Sequence, residues 1–119
     1  MSNLLDNDKI IKIPSAYICD TKVVGVSMAN DDGSLRQEII RSEVEENDKL
    51  KLEADPNNEF DANAIKVLSP YGKQIGYLNK DIAEKVKPAL EHGTEIHVTA
   101  SWVNGEKMLG VGLRIELVS

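Results

Sequence analysis

The chain has a single cysteine, Cys19, in 119 residues. No internal disulfide framework can form, and a reducing, cytoplasmic setting is expected. Two histidines and that cysteine lie far apart in sequence and make no zinc ligand set. No apolar run approaches the roughly 20 residues of a membrane span. The N-terminal MSNLLDNDK lacks the basic start and apolar core of a secretory leader. No glycine-rich loop precedes a helix, because Gly110 and Gly112 fall in strand-like sequence. Aromatic residues make up only 4%, so aliphatic side chains must fill the core. Positive charge is also short, with 14 basic against 20 acidic residues and a net charge of −6. Such a chain repels nucleic acid at long range, so any binding to it must be local and salt-sensitive. Nothing assembles a nucleophile, a base and an acid, so the chain reads as a non-enzyme without a cofactor.

What is present is strand-like. Length and pattern suit one domain over residues 16–119, with 1–15 as a polar tail whose Ile10-Ile11-Lys12-Ile13 is suited to an edge strand. Val23, Val24 and Val26 flank Gly25 in a first strand; a glycine there marks a bulge or a close approach. Ser34 and Gln37 have the spacing of a capping box for a helix carrying Leu35, Ile39 and Ile40, although Ile39-Ile40 would suit a strand equally well. Leu50 and Leu52 alternate with charged residues, the period of a half-buried strand. Ser69-Pro70-Tyr71-Gly72 is a tight turn between two further strands. Asn79 is placed to cap a second helix, which Pro88 should kink or end and Gly93 should stop. Asn104-Gly105 is a two-residue hairpin signal between strands in which Ile96, Val98, Ala100 and Trp102 share one side and Val111, Leu113, Ile115 and Leu117 another. Five or six short strands with one or two helices predict a mainly β, small, partly closed antiparallel barrel.

The most informative stretch is Asp55-Pro56-Asn57-Asn58-Glu59-Phe60-Asp61-Ala62-Asn63. Its oxygen donors at alternate positions faintly resemble a calcium loop. That pattern fails at Phe60, where glycine is needed, and at Lys66, where glutamate is needed. An Asx-rich turn, whose short side chains satisfy backbone groups, is the better reading. This loop, the Gly25 strand and the segment from Gly76 to Lys80 all lie at strand ends and can converge on one face. They would bring Phe60 and Tyr77 for stacking, Lys80 as a cation, and Asp and Asn oxygens to accept a hydroxyl. That inventory suits an unstacked nucleotide at the end of a single strand. Taken singly, Phe60 as a core plug and Tyr77 as a half-buried sheet residue are equally good readings.

In four pieces the sequence resembles the HIRAN domain family: Val23-Val24-Gly25-Val26, Leu50-Lys51-Leu52, the run from Asp55 to Val67, and Gly72-Lys73-Gln74-Ile75-Gly76-Tyr77-Leu78. The resemblance covers roughly residues 20–118. It implies an OB-like β-barrel that binds DNA, in particular single-stranded DNA ends. The family occurs beside SNF2-type helicases and nucleases in DNA repair, and as free-standing bacterial proteins; this short chain is expected to be of the free-standing kind. Carried onto this sequence, Phe60 stacks on the terminal base and Asp61 accepts the 3′-hydroxyl. Tyr77 and Lys80 line the base and phosphate sides. Gly25, Ser27, Met28, Asn57, Asn58 and Asn63 complete the expected surface. Residues 30–61 carry eleven acidic and four basic side chains, which leaves a second reading open: an acidic surface that docks a basic protein such as a helicase or nuclease.

Overall fold

The computed structural model of the protein describes residues 17–118. The Ile10–Ile13 segment and the expected tail over 1–15 lie outside the described residues. Among the described residues six strands form one antiparallel sheet: β1 (Tyr17–Lys22), β2 (Lys49–Ala54), β3 (Ile65–Leu68), β4 (Gln74–Tyr77), β5 (Glu95–Asn104) and β6 (Gly110–Val118). Two helices interrupt them, α1 (Arg36–Glu43) and α2 (Lys80–Glu91). The strand order is β1-β6-β5-β2-β3-β4. The sheet then curls onto itself. Past the end of β1, Val23 donates to the Val111 carbonyl, and Val24 exchanges two 2.9 Å bonds with Tyr77 of β4, at the opposite edge. At the other seam β2 and β5 pair only at Lys49–Thr99 and Leu50–Val98. The result is the partly closed antiparallel barrel that the strand pattern predicts.

The interior is aliphatic, as the scarcity of aromatics requires. Ile40, Ile65, Val67, Ile75, Val86, Val111, Leu113 and Ile115 are fully buried. Closure depends on Gly76. A Cβ at that position would lie 2.4 Å from the Val24 carbonyl oxygen, so only glycine admits the second backbone there.

Several local expectations need correction. The first strand lies earlier than its valines suggest. Gly25 sits outside it, in a turn with φ +79° closed by the Met28 amide on the Gly25 carbonyl. No capping box forms at α1: Leu35 is the N-cap without a side-chain bond, and Ser34 instead bonds Asp32. Gln37 faces inward, where its amide accepts from Leu109 N–H and donates to the carbonyls of Leu109 and Val26. It acts as a surrogate strand rung between two segments. Pro88 does not end α2, which runs on to Glu91. Gly93 does stop it: at φ +73°, Thr94 N–H bonds Ala89 and Gly93 N–H bonds Leu90, the paired bonds of a Schellman ending. Asn79 caps α2 as expected, accepting from Asp81 N–H at 2.8 Å.

The last hairpin is longer than its Asn-Gly signal implies. Asn104 pairs with Gly110, leaving residues 105–109 as the loop. A register shift between Ala100 and Trp102 adds one residue to β5. Val98 and Ala100 stay in the core, but the shift turns Val103 inward and Trp102 outward.

Candidate nucleic-acid interface

The loop over residues 55–63 is built almost wholly from its own short polar side chains. Asn58 Oδ1 accepts from the amides of Phe60 and Asp61 at 2.9 and 3.0 Å. Asp61 Oδ1 accepts from Asn63 N–H at 2.9 Å. Main-chain bonds from Asn58 to Asp55 and from Ala64 to Asp61 close two successive turns, and Asp55 N–H bonds the Ala64 carbonyl across the base. These are the Asx turns that the composition of the loop predicts. Their consequence is at the apex. Phe60 is 86% exposed, so it is not a plug for the core. Its ring is held out on a loop in which the amides of Asn58, Phe60, Asp61 and Asn63 are already bonded. The second carboxylate oxygen of Asp61 accepts no hydrogen bond from the described residues.

Two contacts from outside fix the loop in place. Lys87 of α2 donates to the Ala62 carbonyl at 3.0 Å and to Asn63 Oδ1 at 3.1 Å. On the other flank the Tyr77 hydroxyl donates to Asp55 Oδ2 at 3.0 Å, and Asn58 Nδ2 reaches both groups at 3.3 Å. Tyr77 is half-buried, and the Arg36 guanidinium stands 5.4 Å from its ring centroid, within cation–π range. Arg36 is only 7% exposed. Its Nε donates to Asn30 Oδ1 at 2.7 Å and its Nη1 to the Gly25 carbonyl at 2.9 Å. Burial pushes the Arg36 pKa down from its ordinary value, while Tyr77 and Asp31 oppose that shift. Asn30 Nδ2 bonds the Gln74 carbonyl and so ties the segment between β1 and α1 to β4.

The structure thus joins Gly25, Asn58 and Tyr77 in one bonded network, with Phe60, Asp61 and Asn63 on the adjoining loop. Asn58 and Asn63 are occupied in shaping that loop. Ser27, Met28, Asn57 and Lys80 are exposed, with Met28 following the Gly25 turn and Lys80 opening α2. Sequence reasoning missed Arg36, Asn30, Asp55 and Lys87 as positioning residues. Their partners lie 6 to 44 residues away, and no local spacing announces such pairs. A cavity of about 400 Å³ lies beside this network, between Asn30–Ser34, Lys66 and Gly72–Gln74, and the 55–63 loop does not line it. What the loop offers is a raised aromatic surface with a carboxylate beside it, rather than a closed pocket.

The chain is thus a small curled antiparallel barrel that carries this loop on the connection between β2 and β3. The family model for the HIRAN domain matches residues 17–118, and the chain belongs to that family. Helicase-like transcription factor of Homo sapiens is 41% identical over 56 residues, covering 43% of this chain and 6% of that protein. The Oryctolagus cuniculus protein of the same name is 48% identical over 40 residues, covering 34% and 4%. The chain therefore matches only a small fraction of the length of these relatives. The crystal structure of the HIRAN domain of human HLTF superposes with a TM-score of 0.67 at 24% identity, covering 84% of this chain and 74% of that one. A protein from Lactobacillus plantarum superposes at 0.60 with 17% identity, covering 85% and 96%. At these identities the likeness of structure concerns the fold. Among the described residues, no helix is long and apolar enough to cross a membrane.

Proposed function

We propose that this chain is a non-enzymatic DNA-binding module that holds the 3′ end of a single strand against the 55–63 loop. Phe60 stacks on the terminal base, the free oxygen of Asp61 accepts the terminal 3′-hydroxyl, and Lys80 faces a phosphate. The setting that suits such a module is DNA repair or replication, beside a helicase or nuclease. The observation that carries this reading is Phe60 itself. A phenylalanine 86% exposed on a loop held rigid by Asn58, Asp61 and Lys87 forgoes burial that would stabilise the fold. Stacking a nucleobase there restores it, at roughly 1–3 kcal/mol per base.

The test is fluorescence anisotropy with labelled oligonucleotides at low salt. A strand ending in a 3′-hydroxyl binds, and a 3′-phosphate weakens it because two anions then meet at Asp61. Phe60→Ala reduces affinity roughly 5- to 150-fold, the equivalent of one lost stack. Asp61→Asn removes the preference between the two ends. Equal affinity for both ends in the unaltered protein would sink the end-binding reading. A second reading, protein docking through the acidic surface, is favoured by Glu45 and Glu46, which stand exposed beyond the end of α1. In that case neutralising this pair abolishes capture of a basic partner, while Phe60→Ala leaves it intact.

A further inference from the structure

Trp102 is the only tryptophan of the chain, and the extra residue in β5 turns it to the outer face of the sheet. There it lies along β6. A Cβ at Gly112 would fall 2.1 Å from the indole Nε1, and one at Gly110 would fall 3.2 Å from Cζ3. The five-membered ring therefore rests over Gly112 and the six-membered ring over Gly110. One face of the indole is against bare backbone, and the residue keeps 37% of its surface exposed. That arrangement makes a flat aromatic ledge.

The ledge is continuous with the site around Tyr77. Gly112 pairs with Trp102 on one side and with Lys22 on the other. Residues directly across a ladder share a face, so Lys22 stands next to the ledge on the outer surface. Two residues further on, Val24 is on the same surface, 46% exposed and paired with Tyr77. Three strand spacings and two residue steps put Trp102 on the order of 15 Å from Tyr77. Gln37 bonds both Val26 and Leu109, so the turn after Gly25 and the tip of the hairpin are held together.

We propose that the outer face of Trp102 is a second stacking subsite, which receives a base a few nucleotides upstream of the strand end, with Lys22 on the intervening phosphate. This rests on the end-binding reading above. It commits the surface to single-stranded nucleic acid, because an aromatic plane beside a cation, reached from an aromatic end site, matches the repeat of bases and phosphates.

The unaltered protein carries its own probe. Titration with a hexanucleotide bearing a free 3′-hydroxyl should quench the Trp102 emission and protect it from acrylamide. A dinucleotide with the same end should bind without doing either. Trp102→Leu should shrink the affinity advantage of the hexanucleotide over the dinucleotide roughly 5- to 150-fold, and Lys22→Gln should lower the salt dependence of hexanucleotide binding. Should Trp102→Leu fail to fold, Trp102→Phe keeps the glycines covered with a smaller plane and should give a partial loss. Hexanucleotide binding that depends on Phe60 but leaves tryptophan emission and quenching unchanged would overturn the second subsite and leave the end site standing. Absence of binding by either oligonucleotide at low salt would overturn both.

Discussion

Ser69 is a fully buried polar residue with every capacity of its hydroxyl in use. It donates to Glu43 Oε1 at 2.7 Å and accepts from the amides of Tyr71 and Lys73. The bond from Ser69, more than the neighbouring Lys73 ammonium, holds the Glu43 carboxyl below its ordinary value of 4.5. A carboxyl lowered in the folded state contributes stability above its unfolded pKa and loses it as pH falls through the folded one. Glu43→Gln should therefore destabilise the protein at pH 7, and the deficit should vanish in acid below the ordinary carboxylate range. Ser69→Ala leaves two turn amides and a carboxylate short of a partner, and should cost about 1–3 kcal/mol at pH 7. Urea unfolding at pH 7 and pH 3 checks both; a deficit for Glu43→Gln that does not change with pH would contradict the assignment. At this scale the sequence is uneven as a guide. Asn58 and Asp61 were legible as turn formers because their partners lie two or three residues away. The bonds of Ser69 to Glu43 and of Arg36 to Gly25 span 26 and 11 residues, and nothing near either residue signals its partner.

Among the elements, the strands followed their alternation wherever the ladder was regular. Val111, Leu113 and Ile115 all point inward, as their spacing predicts. The reading failed where an irregularity inserts or removes a residue. The register shift in β5 moves Trp102 to the outer face, and a period-2 pattern carries no mark of it. The capping-box spacing of Ser34 and Gln37 misled for a related reason: the Gln37 amide is recruited by Val26 and by Leu109, the latter 72 residues away, and a tertiary partner outcompetes a local cap. Pro88 denies α2 the bond its amide would make to the Glu84 carbonyl, yet the helix continues for three more residues, to Glu91. The bridge between Val24 and β4, which closes the barrel, is sensitive to a single atom. Gly76→Ala places a methyl 2.4 Å from a carbonyl oxygen at φ +157°. Overpacking and backbone strain together should cost roughly 3 kcal/mol. A fall in melting temperature on the order of 10 °C is the expected readout. A change within a degree or two would mean that the two edges separate freely and that the bridge does not hold the barrel shut.

For the whole molecule, charge and fold pull in opposite directions, and ionic strength separates them. The net charge of −6 repels a DNA strand at distances beyond contact, and added salt screens that repulsion. Contact cations work the other way, because each phosphate they neutralise releases counterions that salt restores. For single strands, log K falls with log salt at a slope of about −0.7 per phosphate neutralised. On the proposed strand path Lys80 and Lys22 are the cations that would do this, while Lys87 is held by Ala62 and Asn63. Two contacts give a slope of about −1.4, or roughly a sevenfold loss of affinity between 50 and 200 mM salt. Screening of the acidic remainder should make the observed slope shallower still. Anisotropy titrations with a hexanucleotide across that range provide the measurement. A slope steeper than about −4 would require about six or more phosphate contacts. That would mean a strand tracking the backbone along some other surface, whereas a shallow slope with a strong dependence on Phe60 fits a strand held by its bases.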